Sequence, residues 1–195
     1  KESPLGFKLE SQETVPSSGW KIEKVSDRKV RDEWKPLWGK RAVVEDHFNE
    51  LVIDLVNPAG QPERMQLVVR GYNDGFAFCY KIPDGKGPCV NVQSELTAYN
   101  FAGDYTAWFY NGENHNIGPE KLTETDGTRL PVMTVKAGDK HYMAIHEACL
   151  ETGAPLVLQS KGGNRSFRSL PSRPVCRRDI HQPGVSFCMG RHLAC

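Results

Sequence analysis

Two runs of β-favouring residues, 65–72 and 76–80, flank Asn73-Asp74-Gly75. Asn, Asp and Gly tolerate the positive φ of a tight hairpin turn, so this stretch is predicted to fold back on itself as two antiparallel strands. Its neighbours extend the pattern. Residues 51–56 place Leu51, Ile53 and Leu55 on one pleat face, and Asn57-Pro58-Ala59-Gly60 turns the chain toward the return strand at 65–70. Strand, turn, strand, tight turn, strand is a meander.

The rest of the chain keeps that rhythm. Residues 3–9 and 19–22 read as short strands separated by the loop Pro16-Ser17-Ser18-Gly19. Residues 25–33 are charged and are expected to form a solvated connector. Trp34 and Trp38 bracket Pro36, which disfavours a helix there. The pair is expected to pack in the core, with stacking on a sugar ring as the alternative. Residues 90–101 alternate well enough for one or two strands, and 104–118 look like an aromatic strand running into a polar, Gly-spaced loop. A β-scaffold usually carries binding groups on such a loop. Strands are also expected over 132–136, 141–150 and 155–159. Turns recur about every 8–12 residues and no helical period is sustained, so the expected class is all-β, a sandwich. From Lys161 the chain becomes basic and aperiodic, and residues 170–195 are expected to be a poorly ordered Cys/Arg/Pro-rich tail without a strand.

Composition narrows the partners. Twenty-five Lys and Arg against 24 Asp and Glu make a balanced surface, which argues against nucleic acid or a membrane surface as the partner. No apolar run approaches the roughly 18 residues needed to span a bilayer. A hydrophobic content of 38% suits an extracytoplasmic β-domain with long polar loops. The first residue is Lys1 rather than Met, so a processed or partial chain is expected, with any export signal already missing.

Few residues carry obvious chemistry. Cys176, His181, Cys188, His192 and Cys195 are five potential zinc ligands in the tail, but their spacing matches no common finger. No nucleophile elbow, Walker loop or His-Glu-x-x-His helix is present. Glu147 stands out as a carboxylate in an apolar strand, either an edge residue facing solvent or a functional one. Trp108, Tyr110, Asn114, His115 and Asn116 are candidate substrate-binding residues, because they set aromatic rings beside polar groups.

Several blocks, taken together, resemble the N-terminal domain of glycoside hydrolase family 97, the α-glucosidases and α-galactosidases best known from gut Bacteroidetes. They are Ser3-Pro-Leu-Gly6, Trp34-Lys-Pro-Leu-Trp-Gly39, His47-Phe-Asn-Glu-Leu51, Arg70-Gly-Tyr-Asn-Asp-Gly-Phe-Ala-Phe78, Glu95-Leu-Thr-Ala-Tyr-Asn-Phe101 and Tyr142-Met-Ala-Ile-His-Glu-Ala-Cys-Leu150. They fall in the family's order over residues 1–169. The resemblance implies a β-super-sandwich like that of galactose mutarotase, packed against a following (β/α)8 barrel that holds the catalytic carboxylates. It also implies that Glu147 lends its carboxylate to a calcium ion shared with that barrel, and that the whole protein works on α-linked oligosaccharides outside the cytoplasm, in the periplasm.

Two departures accompany the resemblance. The family commonly carries an arginine where this chain has Cys79. After Ser169 the family would continue toward the barrel, whereas here the Cys/Arg/Pro-rich tail begins, a pattern that a shifted reading frame would produce. The expected function is therefore a non-catalytic N-terminal β-sandwich of an exo-acting α-glycoside hydrolase, inactive without its barrel. A stand-alone carbohydrate-binding module and a zinc-dependent interaction protein are the alternatives.

Overall fold

A computed structural model describes residues 3–4, 7–9, 19–59, 63–81, 92–110, 116–149, 156–171 and 187–190. The strands are β1 (Phe7–Leu9), β2 (Lys21–Trp34), β3 (Val44–Val56), β4 (Arg64–Tyr72), β5 (Gly75–Lys81), β6 (Val92–Glu95), β7 (Ala98–Asn100), β8 (Thr106–Tyr110), β9 (Asn116–Lys121), β10 (Asp126–Lys136), β11 (Tyr142–Cys149), β12 (Leu156–Lys161), β13 (Ser166–Pro171) and β14 (Phe187–Gly190). No helix occurs among the described residues, and every pairing is antiparallel. The chain is all-β, as its turn spacing predicts.

The predicted hairpin forms with its turn at Asn73-Asp74: Tyr72 pairs with Gly75 and Val68 with Cys79 across β4 and β5. β3 joins β4 with Leu55 opposite Met65, which completes the meander. From there a hydrogen-bonded path runs β2-β3-β4-β5-β14-β11-β10-β12-β13-β7, while β8 and β9 continue from β10, and β1 and β6 form a separate pair. β10 serves two layers. Its first residues, Asp126 to Arg129, pair with β12, whereas Met133 to Lys136 pair with β11 and the same half pairs with β8. One strand thus carries the chain from one sheet into the other, and the two sheets enclose the core.

That core follows from simple alternation. Ala107 and Phe109 on β8, Met133 and Val135 on β10, Leu156 and Leu158 on β12 and Phe167 on β13 are all buried, each pair two residues apart within its strand. The Phe109 and Phe167 rings lie 5.6 Å apart across the layers. Each of these side chains larger than Ala107 stabilises the fold by roughly 1.5–3 kcal/mol through burial. A smaller cluster of Leu55, Met65 and Tyr80 sits under the meander.

Four expectations need correction. Residues 25–33 are no connector but the middle of β2, paired with β3 along its length. β2 is an edge strand exposed on both faces apart from half-buried Val30, so no apolar alternation marks it. Cross-strand charges hold it instead. Glu50 of β3 lies between Arg28 of β2 and Arg70 of β4 in one row, with Arg28 Nε donating at 2.5 Å and Arg70 Nε at 2.7 Å. Arg64 also pairs with Glu23. Second, Trp34 and Trp38 are not core residues: they are 54% and 86% exposed, at the end of β2 and in the connection to β3. Third, the aperiodic stretch after Lys161 yields β13, whose partners β12 and β7 supply the order that its sequence lacks. Fourth, the segment expected to hold no strand contributes Leu170 and Pro171 to the end of β13 and all of β14. β14 fills the gap between β5 and β11, where both strands would otherwise present open edges.

Candidate functional site

The site is built where β11 faces the β6–β7 segment. On β11, Met143 and Ile145 pack against the core, and Glu147 shares their parity, so its carboxylate points to the same inner face. Glu147 is half-buried. Burial pushes its carboxyl above the ordinary value, while the Leu156 backbone N–H and nearby His146 favour the charged form.

A second carboxylate, absent from the sequence-based candidates, lies close by. Glu95 is only 6% exposed. Thr97 donates its hydroxyl to Glu95 Oε1, and Ser169 Oγ of β13 donates to Oε2 at 3.4 Å. With the Thr97 proton committed, its oxygen accepts from the Tyr80 hydroxyl of β5 at 3.2 Å. Burial pushes the Glu95 carboxyl up to about 7; the Thr97 and Ser169 donors work against this, and the Glu147 charge adds to it. Burial likewise raises the Tyr80 hydroxyl to about 12 and lifts that of Tyr99 further. Glu95, Thr97 and Tyr99 alternate at i, i+2 and i+4, so an inward Glu-x-Thr-x-Tyr face was the signal available in the sequence.

Beside this cluster an apolar cavity of about 450 Å³ opens between Phe76 and Phe78 of β5, Tyr99 of β7, and Met143 and Ile145 of β11. Asn100 also lines it, but its carbonyl oxygen already accepts from Ser166 Oγ at 2.7 Å.

The other sequence candidates gather elsewhere. Ala107 and Phe109 point into the core, so Trp108 and Tyr110 occupy the outer face of β8. Asn116 opens β9 directly opposite Tyr110 and joins them. Trp108 is half-buried over Gly118, where a Cβ would meet its Cδ1 at 3.2 Å. These three therefore lie across the sheet from Glu147, and the two sets form no single site. Asn114 and His115 lie outside the described residues, as do Cys176, His181, His192 and Cys195; Cys188 is in β14. Among the described residues no group of three or more His, Cys, Asp or Glu side chains could hold a metal ion. Cys79 is buried in β5 between Val68 of β4 and Cys188 of β14, a row that continues to Cys149 of β11.

The model of the glycosyl-hydrolase 97 N-terminal family matches residues 1–175. The chain belongs to this family. A probable retaining alpha-galactosidase of Streptomyces bingchenggensis is 28% identical over 185 residues, covering 94% of this chain and 25% of the relative. A retaining alpha-galactosidase of Bacteroides thetaiotaomicron is 26% identical over 181 residues, covering 84% of this chain and 26% of the relative. The chain thus spans about a quarter of the length of these curated relatives. A glycoside hydrolase family 97 enzyme from Pseudoalteromonas sp. strain K8, solved with panose, superposes with a TM-score of 0.82 at 23% identity, over 97% of this chain and 30% of that one. A beta-arabinopyranosidase superposes with a TM-score of 0.76 at 16% identity, over 100% of this chain and 34% of that one. These two likenesses establish the fold. The β-super-sandwich expected from the family resemblance is therefore the architecture of this domain.

Proposed function

We propose that this chain is the non-catalytic N-terminal β-sandwich of an exo-acting α-glycoside hydrolase that functions outside the cytoplasm. It packs on a catalytic (β/α)8 barrel and presents Glu147 as one oxygen donor to a calcium ion. The observation that carries the reading is coverage: the family match takes in most of the chain, yet the chain spans only 25% of an alpha-galactosidase relative. The substrate of the whole protein is then an α-linked oligosaccharide.

Calcium takes six to eight oxygen ligands, so one carboxylate cannot build the site. Glu147 fits the part of a contributing ligand. Its oxygens suit a hard cation, and its half-buried position disfavours an uncompensated charge, which a bound cation would offset. Bound there, calcium would fix the carboxylate and tie β11 to whatever supplies the remaining oxygens.

Two assays test this reading. The 195-residue chain should not hydrolyse an aryl α-glucoside or α-galactoside, and turnover above the enzyme-free blank would overturn the non-catalytic assignment. Calcium should leave the melting temperature of the chain unchanged, because most ligands lie in the barrel. A calcium-dependent rise that Glu147→Gln leaves intact would remove Glu147 from the ligand set.

The reading as a carbohydrate-binding module has one observation in its favour, the clustering of Trp108, Tyr110 and Asn116 on one face, with Tyr110 45% exposed. Calorimetry with maltotriose decides it: binding abolished by Trp108→Ala would establish a module, and no binding leaves Trp108 as the cover of Gly118.

A further inference from the structure

The β2–β3 hairpin carries apolar surface outward at its tip. Trp34 is 54% exposed, Leu37 100%, Trp38 86% and Val43 40%. Exposed apolar residues scattered singly mean little, but four within one short connection form a patch of the kind that marks an interaction site. Pro36 fixes its own φ and restricts Lys35, which lowers the backbone entropy lost on docking between the two tryptophans.

The charges in the same stretch are one-sided. Lys35, Lys40 and Arg41 are all exposed, and no carboxylate occurs between Glu33 and Glu45. An apolar centre rich in tryptophan with a cationic rim is the composition of an interface hot spot, and it fits a partner with an apolar recess edged by carboxylates. The catalytic centre of a glycoside hydrolase is built on acidic side chains. The Streptomyces and Bacteroides relatives carry most of their length outside the segment that this chain matches.

We propose that the hairpin tip, residues 34–43, docks this domain onto the catalytic portion of a glycoside hydrolase. Trp34, Leu37 and Trp38 enter an apolar recess there, while Lys35, Lys40 and Arg41 face carboxylates at its edge. The inference rests on the reading of the chain as a domain that packs on a barrel, and it names the contact surface. Because these side chains already face solvent, their removal spares the folded domain.

Calorimetric titration of the 195-residue chain with the catalytic portion of the Streptomyces relative, in a preparation that melts cooperatively, tests it. The Trp34→Ser, Trp38→Ser double variant should keep the wild-type melting temperature and bind roughly 30-fold more weakly or worse, as hot-spot tryptophans do. Lys40→Glu with Arg41→Glu should weaken binding and flatten its salt dependence. Wild-type binding that the tryptophan variant leaves unchanged would overturn the tip as the contact while leaving the packing reading intact. No wild-type binding would overturn both. Two results would reassign the tip: self-association in sedimentation that Trp38→Ser abolishes, or tryptophan quenching by maltotriose lost in the same variant.

Discussion

At the scale of the residue, Glu95 makes the sharpest claim. Its carboxyl is raised from an ordinary 4.5 to about 7, chiefly by burial. The fold therefore prefers the neutral acid. The stability that follows is fully present below pH 4.5 and is lost as pH rises toward 7, because the unfolded chain ionises first. The loss amounts to roughly 3 kcal/mol. Glu147, raised in the same direction, adds to the slope, whereas Tyr80 and Tyr99 titrate well above this window. Urea denaturation at pH 5 and pH 7.5 should show the wild type weakening across the interval and Glu95→Gln losing most of that dependence. An unchanged slope in the variant would place the titration elsewhere. Gly118 offers a second case, for a different reason. Its φ is +116°, and a Cβ would stand 2.6 Å from the Ala107 carbonyl oxygen, a backbone atom that cannot swing away. Gly118→Ala should cost about 2 kcal/mol or more in the same measurement.

At the scale of the element, what could be read in the sequence depended on what each strand buries. The β4–β5 hairpin was legible because Asn73-Asp74-Gly75 is turn chemistry set between two runs of β-favouring residues. β2 was not legible, since an edge strand bathed on both faces has no apolar period, and its order comes from β3 and from charge pairs. Among the site candidates, Glu147 could be singled out as a charge in an apolar strand. Glu95 is harder to read from the sequence, because its partners Tyr80 and Ser169 are distant along the chain and meet only through the fold. The Arg28–Glu50–Arg70 row lets the β2 account be tested. Arg28 above all, then Arg70, holds the Glu50 carboxyl below its ordinary value against the effect of burial. Both guanidinium groups are substantially exposed, so solvent screens them, and a double-mutant cycle on Arg70 and Glu50 should give a coupling of about 1 kcal/mol that shrinks in high salt. In Glu50→Ala the β2 amides should exchange with deuterium faster while those of β12 stay protected. Equal acceleration in both strands would mean that the row supports the whole domain rather than its edge.

At the scale of the molecule, two devices tie the meander to the main core. β10 crosses from one layer to the other, so Met133 and Val135 pack in the sheet of β8 and β11 while Asp126 to Arg129 hydrogen-bond to β12. β14 is the second, joining β5 to β11 through Cys79↔Cys188 and His146↔Gly190. Without β14, no ladder among the described residues would connect the strands β2 to β5 with the strands β10 to β13, and the contact would rest on Phe78, which touches both apolar clusters, and on the hydrogen bonds from Tyr80 through Thr97 and Glu95 to Ser169. Deleting residues 187–195 should therefore separate the halves. The main core, anchored by Phe109, Phe167 and Leu158, should keep its melting transition, while a second and lower transition appears for the meander. Amides of β5 should lose protection, and the opened edges of β5 and β11 should make the variant associate as its concentration rises. A single unshifted transition, with a monomeric species in sedimentation, would show that Phe78 and the hydrogen bonds from Tyr80 to Ser169 suffice to couple the two halves and that β14 only caps the edges it covers.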